Sequence, residues 1–125
     1  MNYLWAFVVG GAICVVGQLL SHWYGTLGLD TADAGTATSV TLVFLSALAT
    51  GLGVYHKLAR WAGAGTLVPI TGFANAVVSP AVDFRAEGLI TGTAVKMFTV
   101  AGPVIVFGTA ASVVYGLVLW LVQTI

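Results

Sequence analysis

The sequence predicts an all-α integral membrane protein with three full transmembrane helices, a broken or re-entrant helical segment and a further short membrane helix. Only 6% of its 125 residues are charged and 59% are hydrophobic, whereas a soluble domain carries about a quarter charged residues to cover its surface. Three apolar runs reach the roughly 20 residues that cross a hydrocarbon core about 30 Å thick. A fourth stretch, GAGTLVPITGFANAV at 63–77, is as apolar as the spans but holds Pro69 and Asn75.

The whole chain, 1–125, reads as a single membrane domain. The first span covers about 4–23. It has no basic segment before it and no small-residue cleavage site, so it reads as a retained span and not as a signal peptide. Gly10, Cys14, Gly17, Gln18 and Ser21 fall on one helical face, a small and polar stripe that permits close helix contact. The second span covers about 38–58, where Ser39, Ser46, Thr50, Gly53 and Lys57 align in the same way. The last covers about 103–122, with a ladder of Gly108, Ser112 and Gly116. Such stripes are read either as seams between packed helices or as the wall of a pore built by several subunits.

Between the second and third spans, a broken or re-entrant segment is expected over about 62–82 and a short helix over about 86–100. Pro69 lacks an amide hydrogen and clashes with the preceding turn, and Gly63, Gly65 and Gly72 weaken the helix on both sides. Pro80 is assigned to the same interruption. Non-helical backbone at membrane depth is tolerated only where protein or a water-filled cavity satisfies it, so this segment is expected to be sheltered. A plain proline kink is the competing reading. If the helix is broken, its half-helix N-terminus offers free N–H groups to an anion, with Thr71, Gly72 and Asn75 as further donors.

Lys96 interrupts an apolar run, and an ionised lysine at mid-depth costs about 2.5 to 3.5 kcal/mol on insertion scales. Either it meets Asp83, Glu87 or a passing anion, or it snorkels to the headgroups from an interfacial helix. Lys57, Arg60 and Arg85 set the orientation: with these on the cytoplasmic side, the loop of Asp30 and Asp33 faces out and both termini face in.

Several functions are excluded. The formal net charge is zero, so there is no basic face for nucleic acid. Cys14 is the single cysteine, and no spacing of ligands suggests a metal. His22 and His56 are a span apart without a catalytic companion and read as interfacial residues beside Trp23, Tyr24 and Tyr55. No enzyme and no cofactor is expected.

The stretches LWAFVVGGAICVVGQLL (4–20), YHKLARWAGAGTLVPITGFANAV (55–77), EGLITG (87–92) and AGPVIVFG (101–108) closely resemble the stage V sporulation AC/AE family of small membrane proteins, and most of all its AE type. The likeness covers most of the chain, and Pro69, Thr71, Phe73 and Asn75 match the family core. The resemblance implies a subunit of the complex that moves dipicolinic acid, with calcium, across the spore inner membrane during sporulation and germination. Its implied partners are an AC-type paralogue and a soluble AD-type subunit. Two other readings stand beside it: a structural or assembly subunit with no pore of its own, and a small proton-coupled multidrug exporter. The exporter needs a membrane-embedded carboxylate, and the first span has none.

Overall fold

The computed structural model describes residues 2–124. Helices α1 (Asn2–Thr26) and α2 (Thr31–Gly51) form an antiparallel pair, followed by three shorter helices: α3 (Val54–Ala62), α4 (Ala64–Leu67) and α5 (Ile70–Asp83). A 3-10 turn at Arg85–Glu87 and a π-helical turn at Leu89–Ala94 lead into α6 (Val95–Thr124). No strand occurs among the described residues. Three stretches are long and apolar enough to cross a membrane: Tyr3–Thr26, Thr31–Gly51 and Leu89–Thr124.

α2 begins seven residues earlier than the span expected at about 38–58 and stops earlier too. Asp30 caps it, accepting a hydrogen bond from the Asp33 amide at 2.8 Å, and Asp33 adds favourable charge to the first turn. In the polar run after it, Thr36, Thr38, Ser39 and Thr41 each donate to the carbonyl four residues back, which satisfies their hydroxyls within the helix. That leaves small residues, Ala34 and Thr38, buried along the helix. At the other end Gly53, with φ at +72°, turns the chain out of the helix, a conformation glycine adopts without steric cost.

α3 is amphipathic along its whole length. Tyr55 and Ala62 are buried and Ala59 is half-buried, while His56, Lys57 and Arg60 are exposed on the other side. This element carries the chain back inward. At α4 the glycines allow an unusually close crossing: a Cβ on Gly65 would overlap the Ala6 backbone, and one on Gly10 would lie 3.2 Å from the Gly65 carbonyl oxygen. Gly10 lies about 12 Å from the start of α1 at 1.5 Å per residue, so the element reaches roughly a third of the way along that helix. Pro69 then serves as the N-cap of α5, with ψ at 160°. α5 returns alongside α2 in the same direction, since Ser46 meets Thr71 and Thr50 meets Asn75. Gly51, Gly53 and His56 line one cleft together with Asp83, so the segment leaves at the end where it entered.

Three expectations are corrected. Pro80 does not interrupt anything, for it lies inside α5, which continues to Asp83. The short helix expected over about 86–100 is not separate: from Leu89 the chain runs without a break to Thr124, through Pro103. In both places one missing N–H is tolerated because the surrounding helical bonds remain. Finally, three candidate spans and a segment that leaves where it entered make an odd number of crossings, which does not fit both termini on one face.

Candidate functional site: the interrupted helix and its hydrogen bonds

The break frees backbone carbonyls that a continuous helix would satisfy. The Thr66 carbonyl is met by a side chain from α3, and a second bond from α2 ties the first turn of α5 in place. Tyr55 of α3 donates its hydroxyl to the Thr66 carbonyl at 2.9 Å, and the same oxygen lies 3.1 Å from Thr71 Oγ1. Ser46 of α2 donates to the Thr71 carbonyl at 2.6 Å. Thr66 folds back onto the Gly63 carbonyl at 2.9 Å. Tyr55, Ser46, Thr66 and Thr71 are all buried, and no buried side-chain polar atom among the described residues lacks a partner. A break without these donors would leave carbonyls unpaired in an apolar setting, at about 1–3 kcal/mol each.

Glycine makes room for this arrangement. A Cβ on Gly72 would overlap the carbonyl oxygens of Thr66 and Leu67, so the first turn of α5 packs directly on the backbone of α4. The Gly72 amide donates to the Pro69 carbonyl at 2.8 Å, tightening that turn. One turn further on, Thr50 of α2 lies 2.9 Å from Asn75 Oδ1 and 2.7 Å from its own Ser46 carbonyl. With Oδ1 taken, the part of Asn75 left for a solute is its amide NH2.

The predicted residues therefore separate into three groups. Thr71, Gly72 and Asn75 gather at the break with Ser46 and Thr50, two residues expected only as packing positions. A cleft of about 370 Å³ opens here, bounded by Tyr55, Thr66, Pro69, Phe73 and Asn75. Arg85 and Lys96 lie beyond the other end of α5. Lys96 stands over the Phe84 ring, 3.9 Å from its centroid, a cation–π contact, and not in an ion pair with Asp83 or Glu87. Gly92 lies under the same corner, where a Cβ would overlap the Phe84 carbonyl. The third group, Gly108, Ser112 and Gly116, makes no contact outside its own helix: all three are exposed, and a Cβ on either glycine would meet nothing within 4 Å beyond that helix. Gly17 lies against Leu42, whereas Gln18 is exposed beside the α1–α2 turn.

Tyr55 is the residue that sequence reasoning misplaced. Read as part of an interfacial aromatic belt, it is in fact buried and bonded to the break. The spacing of Tyr55, Ala59 and Ala62 on one side of α3, opposite Lys57 and Arg60, is the signal that would have turned it inward. Trp23 and Tyr24 do pair at the other end of the molecule, with ring centroids 5.4 Å apart, and Tyr24 bonds Thr41 at 2.8 Å. Among the described residues no group of three metal-ligating side chains occurs.

Comparison with known proteins agrees with this architecture. The sequence model of one protein family, described as SpoVAC/SpoVAEB sporulation membrane protein, matches residues 2–118. Stage V sporulation protein AC of Bacillus subtilis (strain 168) is 45% identical over 121 residues, which cover 93% of this chain and 81% of the relative. That relative carries the AC designation, where the sequence motifs pointed toward the AE type. No solved structure matches the chain significantly.

Proposed function

The chain belongs to the SpoVAC/SpoVAEB family of sporulation membrane proteins, and from that premise we propose that it is a membrane subunit of the complex that moves dipicolinic acid, with calcium, across the spore inner membrane. The observation that carries this reading is the sheltered break. A helix interrupted between α4 and α5, with the freed Thr66 carbonyl held by Tyr55 and the first turn of α5 tied to α2 through Ser46, presents that turn and the Asn75 amide beside an open cleft. Dipicolinate is a rigid aromatic dianion. Helix N-termini and amide donors suit it, and binding through neutral groups stays weak enough for release. Arg85 and Lys96, at the end where α5 returns to the surface, supply positive charge at the approach. The partners in this reading are a paralogous membrane subunit and a soluble AD-type subunit.

The test is flux. In vesicles holding the assembled complex, Asn75→Leu is expected to slow dipicolinate passage roughly five- to thirtyfold, the equivalent of one lost hydrogen bond of 1–2 kcal/mol. Lys96→Glu is expected to slow it as well, with assembly unchanged in both variants. Normal flux in the two would remove these residues from the route.

One observation favours a second reading. From Pro103 to Thr124 every residue of α6 is exposed, and its small ladder faces away from its own bundle. An assembly subunit that seats neighbours through α6 accounts for that face without any pore. Reconstituting this chain alone separates the two readings: dipicolinate leak supports a route within it, and a tight vesicle supports the scaffold. The exporter reading is weaker, because Asp83 and Glu87 lie at and beyond the end of α5 and not within a span.

A further inference from the structure

Helix α3 divides its surface among three faces. Tyr55 and Ala62 are buried and Ala59 is half-buried, and through Tyr55 this side holds the break. Lys57 and Arg60 are exposed on the second side, next to His56. Val54, Leu58 and Trp61, spaced i, i+4 and i+7, form the third, and Trp61 is 72% exposed. An exposed apolar stripe beside an exposed cationic one suits a helix lying in a membrane interface, with its apolar groups among lipid tails and its charges among headgroups. Its depth agrees. α3 starts just past the end of α2, and α4, which follows it, reaches only about 12 Å along α1. The nine residues of α3 therefore run through the layer where hydrocarbon gives way to phosphates, a headgroup region roughly 5–7 Å thick on each side.

Charge points the same way. All four lysines and arginines of the chain, Lys57, Arg60, Arg85 and Lys96, lie at this end, whereas Asp30 and Asp33 lie at the other. The acids at this end, Asp83 and Glu87, belong to α5 and the turn after it. Asp83 lines a cleft with His56, but neither Lys57 nor Arg60 contributes to that cleft, and α3 itself carries no acid. We propose that α3 is a docking surface for an anionic phospholipid, with Lys57 and Arg60 on one headgroup phosphate and Leu58 and Trp61 against its acyl chains. Residues three apart on a helix are neighbours, with Cβ atoms about 5–6 Å apart, so both long side chains reach one phosphate, and the arginine fork suits its oxygens. Free phosphate would use the cations and not the apolar stripe, which commits the surface to a lipid. This surface holds whether or not the chain conducts dipicolinate.

The experiment titrates phosphatidylglycerol into the full chain, isotopically labelled, in zwitterionic micelles, and follows the backbone amides of Lys57, Arg60 and Trp61. Saturable shifts of these amides are expected, with none from phosphatidylcholine. Lys57→Gln and Arg60→Gln are each expected to weaken binding about fivefold, the effect of one basic residue near an anionic surface. Arg85→Gln removes the same charge from the same end and is expected to leave binding unchanged. Equal losses in Arg60→Gln and Arg85→Gln would reduce the effect to net charge and overturn the site. Shifts that never saturate, equal shifts from inorganic phosphate, or binding undiminished in both α3 variants would overturn it too. Dipicolinate flux is read separately, so the failure of one proposal does not imply the failure of the other.

Discussion

Tyr55 and Ser46 hold the break with two hydrogen bonds of 2.9 and 2.6 Å, which makes them the residues on which the interrupted segment depends. In membranes such side-chain bonds average about 0.6 kcal/mol and reach about 1.7 kcal/mol. Tyr55→Phe keeps the ring and deletes only the donor, so it is expected to lower stability within that range, measured by reversible unfolding in mixed micelles. Unchanged stability would mean that water reaches the Thr66 carbonyl. A sharper contrast is available between two glycines. Gly65→Val forces a side chain into the Ala6 backbone and is expected to cost about 1–3 kcal/mol, as overpacking does. Gly108→Val meets nothing of its own chain and is expected to be nearly neutral in the isolated subunit. Equal effects would contradict the close crossing of α1 and α4.

At the scale of elements, the chain holds three prolines in helical surroundings with different outcomes. Pro80 and Pro103 lie inside helices that continue past them, while Pro69 stands at the start of α5. Proline chemistry is the same in each case, so the surroundings decide. Around Pro69 an alternative partner for the freed Thr66 carbonyl already exists in Tyr55, Ser46 ties the first turn of α5 to α2, and Gly63 turns the chain with φ at +50° just before. Pro69→Ala is therefore expected to leave α4 and α5 separate, with the amides at residues 70 and 71 still exchanging quickly with solvent deuterium. Slow exchange there would show that the proline alone makes the break. α6 illustrates the opposite case: with no outside partner offered to its carbonyls beyond Pro103, continuing the helix is the cheapest way to satisfy them in lipid.

Across the whole molecule, packing is concentrated at one end. α1, α2 and the broken segment meet there and the start of α6 packs on α5, whereas the remainder of α6 extends from the bundle with every residue from Pro103 on exposed. Three candidate spans would put the chain ends on opposite faces. In a Cys14→Ala background, Tyr3→Cys and Thr124→Cys are expected to react with a membrane-impermeant maleimide from opposite sides of oriented vesicles. Labelling from one side would require a fourth crossing and would overturn this path.

The sequence by itself determined the solvent and the count of spans, because the transfer of apolar side chains into lipid is nearly additive and can be read residue by residue. It also located the interruption, since Pro69 flanked by Gly63, Gly65 and Gly72 weakens a helix whatever surrounds it, and its motifs pointed to the family. The tertiary structure decided what local reading cannot reach. Helix α2 starts at Thr31 because Asp30 caps it and its small residues face inward, although the same run reads as a polar loop. Pro80 and Pro103 leave their helices continuous and Pro69 does not, because a freed carbonyl is costly only until a donor arrives, and the donor to Thr66 comes from 11 residues away. Asn75 and Lys96, both singled out in the sequence, are set apart by the C-terminal half of α5, a separation that only the direction of the returning helix sets.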